Sequence, residues 1–302
     1  MEKKEKKLRY GGWFEHNGYT FLAEGLIHHI YEKDGYIYKI VKEDRPLFHR
    51  ADHFEKEQKI LTMLRTQGFP VAAVERIFRP GELIDGFPVL QERKITDTVY
   101  DEYRIPRGCV DEIVCFLAET AKLQAPGFGV LYEDRDRNAK EYEYDDWDVF
   151  IAVQLKLACA LEIDEKQETL AFLQQLVLEN RDQFRYYEPA RFLIMDPNPQ
   201  NFFFDGEELT NAIDIDHPLG GDPLWQWACV CWYKPAWKEN MARLGVVSDS
   251  DRRLLLYTAL FGMANADFEI KNLGAVDHYT IERMDVLRSE IRKAERAGTE
   301  QK

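Results

Sequence analysis

The stretch IMDPNPQNFFFDGEELTNAIDID, residues 194–216, sets four polar side chains among apolar and turn-forming residues: Asp196, Asn201, Asp214 and Asp216. Burying a carboxylate without a partner is costly, so a cation is expected beside them. Carboxylate and amide oxygens are ligands that Mg²⁺ accepts, and a further carboxylate can take a proton from a hydroxyl nucleophile. These residue types therefore indicate a metal site with a general base nearby.

A hairpin is predicted to position these groups. The run NFFFDGEELTNAIDID reads as two strands that turn at Asp205-Gly206. This places Asn201 at the start of one strand and Asp214 near the end of its partner, so that the two groups lie side by side. Asp196 precedes them in a proline-held loop. For Asp216 two interpretations stay open, a second metal contact or a cap on the following turn, and we favour the cap.

A lysine is placed where an aliphatic residue is expected. FLAEGLIHHIYEKDGYIYKIVKE predicts two strands joined at Asp34-Gly35, and the two-residue period puts Lys39 on the same face as Ile37 and Val41. One interpretation is an edge or outward face with a snorkelling side chain. The other is a lysine aimed into a cleft to meet an anion.

The next segment, RADHFEKEQKILTMLRTQGFPV, predicts a helix that ends near Gly68. Phe54, Leu61 and Leu64 form its apolar stripe, and Glu57 falls on the same stripe. A salt bridge between Glu57 and Lys39 would satisfy both misplaced charges. The alternative is a glutamate at the rim that bends into solvent.

The remaining patterns give the architecture. VERIFRPGELIDGFPVLQERK reads as a second hairpin, and beyond residue 94 the apolar periodicity becomes mainly helical. The helical segments are CVDEIVCFLAETAKLQ, DDWDVFIAVQLKLACALEI, EKQETLAFLQQLVLENRDQF and the tail from Asp249 to about Arg296. The sequence thus predicts an α+β protein with a small β-rich lobe containing one helix, residues 1–93, and a larger mainly helical lobe, residues 94–302.

Composition excludes several classes of protein. A chain of 302 residues is long enough for two lobes, and its net charge of −14 argues against a nucleic-acid partner. The sequence contains neither an apolar run of roughly 18 residues nor an apolar leader, so we expect no membrane contact and a cytoplasmic location. Five scattered cysteines fit small core residues of a reducing compartment.

In the order and spacing of these residues, the chain resembles the aminoglycoside phosphotransferase branch of the protein-kinase-like fold. That family carries H-G-D-x-H-P-x-N, then I-D-[FW]-[DE], then G-D-P; here the corresponding stretches are IMDPNPQN, AIDID and GGDPLWQWA. The resemblance implies that Asp196 is the catalytic base and that Asn201 and Asp214 hold Mg²⁺. It further implies that Lys39 contacts the phosphates of ATP with Glu57 as its helix partner.

The same resemblance implies a bilobal kinase-like arrangement with ATP between the lobes. Its phosphates would lie under the turn that contains Gly25, and its adenine would meet backbone groups of a hinge near Gln91, Glu92 and Arg93. The implied activity transfers the γ-phosphate of ATP to a hydroxyl of a small molecule, and an aminoglycoside, another antibiotic, an amino alcohol and a sugar all stay open as the acceptor.

Four residues depart from the family pattern. Ile194 and Met195 replace the His-Gly pair, Asn198 replaces the second histidine, and Gln226 replaces the aspartate of G-D-P-x-x-D. One alternative is therefore a pseudokinase, a nucleotide-binding module without phosphotransfer. A kinase acting on proteins is disfavoured because no A-P-E segment follows the metal aspartate. The sequence has no G-x-x-x-x-G-K-[ST] motif, which argues against a P-loop enzyme.

An acidic segment follows the GFG turn and in the resembling enzymes lines the acceptor cleft; it contains Glu133, Asp134, Asp136, Glu141, Glu143, Asp145, Asp146 and Asp148. For most of these residues a solvated loop is the simpler interpretation. Asp145, Asp146 and Asp148 are the better candidates for acceptor binding, because Trp147 and Phe150 can anchor them at the start of a helix. We therefore expect a cationic or amine-bearing acceptor.

Overall fold

The computed structural model describes residues 10–25, 27–45, 49, 52–131, 143–215, 217–248 and 251–300. The chain forms two compact units, Met1–Arg104 with Pro199–Asp216 and Ile105–Asn198 with His217–Lys302. The first is built mainly on strands and the second mainly on helices, in agreement with the predicted α+β class. Within the described helices, none is both long and apolar enough to cross a membrane.

The first unit is built on an antiparallel sheet in the order β1-β2-β3-β5-β4. Its strands are β1 Thr20–Glu24, β2 His28–Lys33, β3 Tyr36–Val41, β4 Val74–Phe78 and β5 Val89–Arg93. The β2–β3 hairpin turns where predicted, at Asp34 and Gly35, which both have positive φ. The β4–β5 hairpin is likewise confirmed.

The described residues of this unit include the helices α1 Gly11–His16 and α2 Glu55–Thr66. One face of the sheet packs Ile40 and Val89 with Phe14 of α1. The other face packs Val41 and Leu90 with Phe54, the residue that precedes α2. Because side chains alternate along a strand, Lys39 shares the face of Val41 and therefore lies on the side of α2.

A second, smaller sheet of the first unit has the order β11-β10-β6, with β6 Thr98–Val99, β10 Phe202–Asp205 and β11 Glu208–Ala212. The predicted hairpin is confirmed, but its turn lies one residue later than Asp205-Gly206, at Gly206 and Glu207, because Asp205 pairs with Glu208. The sequence assigned this hairpin to the second lobe, whereas here it groups with the first unit. The reason is backbone pairing, since Ala212 N–H donates to Pro70 O at 2.8 Å and Ala72 N–H donates to Ala212 O at 3.0 Å.

The second unit contains a sheet in the order β8-β7-β12-β9, with β7 Phe128–Val130, β8 Glu143–Tyr144, β9 Arg191–Leu193 and β12 Leu219–Gly221. Its helices are α3 Arg107–Thr120, α4 Trp147–Ala160, α5 Gln167–Glu179, α6 Pro223–Tyr233, α7 Lys238–Arg243, α8 Arg252–Leu273 and α9 His278–Glu300. The predicted tail helix is divided in two at Gly274, which ends α8 with a φ of 83°. The GFG segment, expected as a turn, forms β7 because Gly129 and Val130 pair with β12.

Helix α6 is central to the second unit. Eight of its residues are buried, and it packs along α8. Asp222 caps its first turn by accepting the Leu224 N–H at 2.9 Å, and Pro223 occupies the first helical position. This helix begins at the proline of the G-D-P motif.

Candidate active site

Lys39 is a buried cation of the first unit. Its side chain is 5% exposed, and its Nζ donates to Oε1 of Glu57 in α2 at 2.7 Å. The predicted ion pair is therefore confirmed, and Glu57 packs inward beside Leu61 and Leu64 as expected. A snorkelling lysine and a rim glutamate are both excluded.

Two further carboxylates lie around the same ammonium group. Nζ of Lys39 is 3.4 Å from Oε2 of Glu92 and 3.8 Å from Oδ1 of Asp214. Burial alone would lower the pKa of Lys39, but the charges of Glu57, Glu92 and Asp214 outweigh it and hold that pKa well above its ordinary value. Lys39 is therefore a permanent cation that neutralises only part of the negative charge around it.

The predicted hinge does not lie at Gln91 and Glu92. Both residues belong to β5, which is paired with β3 on one side and β4 on the other. Since the backbone groups of an inner strand are used by the sheet, they are not available to a base, and that prediction is wrong for these two residues. Glu92 instead turns its carboxylate to Lys39, and Gln91 donates to the Tyr38 hydroxyl at 2.9 Å. Arg93 ends the strand.

Gly25 lies in the predicted turn, between β1 and β2. Its N–H donates to the carbonyl of His28 at 2.8 Å and so closes this hairpin. The group that would most directly meet a phosphate at this residue is thus used within the turn. Its contact with a nucleotide stays a prediction.

Asn201 and Asp214 are brought together at one end of the β10–β11 ribbon. Asn201 ends the short 3₁₀ helix Pro199–Asn201 and is buried. Its carbonyl accepts the N–H of Ile213, the residue before Asp214, at 2.9 Å. Asp214 has a φ of 59°, in the left-handed region that aspartate and asparagine tolerate better than other side chains. The predicted adjacency is confirmed, while their role as metal ligands stays a prediction.

The donor set at this point suits Mg²⁺ held jointly with phosphates. Among the residues that the structure describes, no three His, Cys, Asp or Glu side chains converge as a closed protein site would require. Mg²⁺ is commonly bound through one or two carboxylates together with substrate phosphates. One amide and one half-exposed carboxylate fit that mode.

Asp196 belongs to the second unit and follows β9. It is exposed, and its Oδ1 accepts the N–H of Asn198 at 3.1 Å, so the loop forms a local turn around the carboxylate. An exposed carboxylate held in this way can accept a proton from a bound hydroxyl group. Its assignment as the base stays a prediction.

The loop before Asp196 is braced by α6. The N–H of Ile194 donates to Oε1 of Gln226 at 2.7 Å, and Nε2 of Gln226 donates to the carbonyl of Leu117 at 3.1 Å. The thiol of Cys229 donates to the carbonyl of Met195 at 3.1 Å. Both residues that depart from the family's His-Gly pair are therefore supported by neutral side chains of one helix.

Sequence reasoning missed this bracing role. The sequence marks Gln226 only as a departure from the family pattern, and the cysteines, Cys229 among them, only as small core residues. The available signal was their spacing of three, which puts both on one helix face. Burial raises the pKa of Cys229 well above its ordinary value, and the charge of Asp196 adds to the shift, so the thiol keeps the proton that it donates.

The three acidic candidates for acceptor binding lie at the start of α4. Asp145, Asp146 and Asp148 are all exposed. Asp146 also caps the helix, because its Oδ1 accepts the Val149 N–H at 2.9 Å. Glu143 lies in β8, whereas Glu133, Asp134, Asp136, Glu141 and also Asp216 fall outside the described residues.

The anchor expected for this segment is present. The rings of Trp147 and Phe150 are buried and stack with centroids 4.6 Å apart. Nε1 of Trp147 donates to the Tyr257 hydroxyl at 3.1 Å, and that hydroxyl donates to the buried carboxylate of Asp222 at 2.7 Å. Burial raises the pKa of Asp222, although Tyr257 and Arg253 partly oppose the shift. The G-D-P motif thus fixes the start of α4.

Comparisons with solved structures define the fold. A thermostable variant of aminoglycoside phosphotransferase APH(4)-Ia, in a ternary complex with ADP and hygromycin B, is 16% identical with a TM-score of 0.67, and the match covers 96% of this chain and 98% of that chain. Aminoglycoside 2′-phosphotransferase-IIIa in its GDP complex is 16% identical with a TM-score of 0.64, over 96% and 99% of the two chains. No family model and no curated protein matches the sequence. The chain therefore has the protein-kinase-like fold of the aminoglycoside phosphotransferases.

Proposed function

We propose that this protein is a small-molecule kinase of the aminoglycoside phosphotransferase family. It transfers the γ-phosphate of ATP to a hydroxyl of a small, amine-bearing acceptor. The observation that carries the proposal is the surroundings of Lys39: a buried lysine paired with Glu57 at 2.7 Å and standing 3.8 Å from Asp214. This adjacency of a phosphate-binding cation and a metal-binding carboxylate is what phosphoryl transfer requires.

The first unit supplies the nucleotide contacts in this proposal. Lys39, held by Glu57, orients the phosphates, and the turn at Gly25 covers them. Since β5 uses the backbone of Gln91 and Glu92, the base is recognised by backbone groups after Arg93 and before β6. Asn201 and Asp214 hold Mg²⁺, which when bound neutralises charge on the phosphates.

The second unit supplies the base and the acceptor contacts. Asp196 aligns the acceptor hydroxyl and takes its proton, while Gln226 and Cys229 fix the backbone from which it projects. Asp145, Asp146 and Asp148 meet ammonium groups of the acceptor. The solved relatives support this acceptor class, since they include complexes with hygromycin B and with kanamycin.

The test is turnover with a panel of acceptors. The protein is mixed with Mg²⁺, with ATP or GTP, and with hygromycin B, kanamycin or simple amino alcohols, and phosphorylated product is measured by mass spectrometry. Asp196→Asn keeps the shape of the side chain and removes the base, so kcat should fall by a factor on the order of 10² to 10⁴ while nucleotide affinity stays constant. Asp205→Asn, in the exposed β10–β11 turn, is the matched control.

Two results would contradict this proposal in different ways. Nucleotide binding without transfer to any acceptor would favour the pseudokinase, a binding module whose chemistry has lapsed. Failure to bind nucleotide in the presence of Mg²⁺ would contradict both the kinase and the pseudokinase interpretations.

The metal assignment has its own variant, Asp214→Asn. Asparagine tolerates the left-handed backbone of this position but lacks the charge, so the fold is kept and the Mg²⁺ dependence of nucleotide binding should weaken. Calorimetric titration of ATP with and without Mg²⁺ measures this. If Mg²⁺ strengthens binding equally in the variant, Asp214 is not a ligand.

A further inference from the structure

Helix α6 presents its two cysteines to opposite sides. Cys229 contacts the carbonyl of Met195 in the catalytic loop. Cys231 follows two residues later, and a helix turns by about 200° over two residues, so Cys231 faces away from that loop. On its side lies a cavity of about 200 Å³ between α6, α7, α8 and α9. The residues lining it do not include Asp196 or its neighbours.

The cavity carries more positive than negative charge. Arg283, which is 5% exposed, donates from Nη1 to Oε1 of Glu290 at 3.0 Å and from Nη2 to the carbonyl of Cys231 at 3.1 Å. Its Nε is buried and has no partner within the described part of the chain. Lys238 also lines the cavity and adds a second positive charge. The described lining thus contains two cations, Lys238 and Arg283, and one carboxylate, that of Glu290. One positive charge is therefore left without a negative counterpart.

The rest of the lining is largely apolar. Leu254 and Leu287 are buried in the floor, and Leu255 and Pro235 contribute to the walls. A ligand that was only an anion would leave these surfaces unused, whereas a hydrocarbon would leave the charge of Lys238 and Arg283 unmet. The volume is below the roughly 300 Å³ at which sites for drug-sized ligands begin.

We propose that this cavity is a binding site for a small monocarboxylate with a short apolar body. The carboxylate meets Lys238 and the guanidinium of Arg283, and the apolar body lies against Leu254, Leu255 and Leu287. A phosphate monoester is disfavoured because its charge at neutral pH exceeds the single charge left over. The site is separate from the proposed active site and does not depend on phosphotransfer.

Hexanoate is the probe, with hexanamide as its neutral twin and inorganic phosphate as an anion without an apolar body. Calorimetry or ligand-observed NMR with the full chain should detect hexanoate binding and much weaker binding of the other two. Lys238→Gln should raise the Kd for hexanoate about tenfold, as loss of a charge-assisted hydrogen bond does. Lys293→Gln, an exposed lysine of α9 outside the cavity, should leave the Kd unchanged.

Several outcomes overturn the proposal. Absence of hexanoate binding at concentrations on the order of 10 mM would remove the site. Equal binding of hexanoate and hexanamide would remove the role of the charge, and equal binding of inorganic phosphate would remove that of the apolar floor. Equal effects of Lys238→Gln and Lys293→Gln would indicate nonspecific attraction to lysine.

Discussion

Lys39 has two buried carboxylate partners that are not equivalent. Glu57 makes a direct hydrogen bond at 2.7 Å, whereas Glu92 approaches to 3.4 Å with Oε2 and keeps Oε1 buried without a hydrogen bond among the described residues. A buried oxygen that accepts no hydrogen bond is destabilising, because the hydrogen bonds that it made to water are not replaced. Glu57 therefore stabilises the folded state through Lys39 more than Glu92 does.

This asymmetry gives a prediction for two matched variants. Glu57→Gln removes the charge from the short bond and should lower the free energy of unfolding by about 1.5 to 3 kcal/mol. Glu92→Gln should cost less, because Lys39 keeps Glu57 and the amide that replaces the unpaired oxygen carries no charge. Urea unfolding of both variants measures the difference. An equal or larger loss for Glu92→Gln would show that Glu92 is the principal partner.

For helices, strands and turns, signals from neighbouring residues in the sequence predicted more of the structure than could be inferred about contacts between distant segments. The turn at Asp34-Gly35 was predictable because the turn type dictates its residues, and the same signal gave the β10–β11 turn to within one residue. Helix α6 was missed because it is apolar on all sides and has no amphipathic stripe, although Asp222 and Pro223 form a start signal for a helix.

The contacts that distant strands create could not be predicted. Glu92 meets Lys39 because β5 pairs with β3 in one register, and a single sequence does not contain that register. The pairing of Lys39 with Glu57 was predictable because each residue broke the apolar pattern of its own element. A charged residue that interrupts an apolar pattern, as Lys39 and Glu57 do, can be recognised in the sequence. The partner of a charged residue that interrupts no such pattern, as with Glu92, cannot.

Gly221 shows how closely two elements approach. A Cβ built there would lie 2.2 Å from the Trp147 ring, which is itself confined by Phe150. Gly221→Ala should therefore displace Trp147 and destabilise the protein by about 1 to 3 kcal/mol, as overpacking does. Tryptophan fluorescence and thermal unfolding measure this. Gly127→Ala, where a Cβ meets nothing within 4 Å, is the control. Identical behaviour of the two variants would contradict the close contact.

The whole molecule carries a net charge of −14, which favours the approach of cationic acceptors. Attraction by the net charge and direct contact with particular carboxylates can be distinguished by neutralising carboxylates at different places in the chain. Removing two exposed carboxylates anywhere changes the net charge by the same amount. If Asp145 and Asp146 bind the acceptor as proposed, removing the charges there lowers the acceptor affinity as well.

The double variant Asp145→Asn/Asp146→Asn separates the two effects. Asparagine caps a helix as well as aspartate, so α4 should stay intact while the acceptor KM rises and the KM for ATP does not. The difference from wild type should shrink between about 0.1 M and about 1 M salt, as the Debye length falls from about 10 to about 3 Å. Glu207→Gln/Glu208→Gln removes two exposed charges from the β10–β11 turn instead. If both double variants raise the acceptor KM equally, only the general field acts.

The hydrogen bonds of Gln226 give the backbone before Asp196 a support that does not change with acidity. An aspartate buried at this position would change its protonation, and with it the loop's support, once the medium became acid enough. The amide of Gln226 has no proton to gain or lose in that range, and the Cys229 thiol keeps its own because burial holds its pKa high. A profile of turnover against acidity would thus carry no contribution from the two side chains that hold the backbone of Ile194 and Met195.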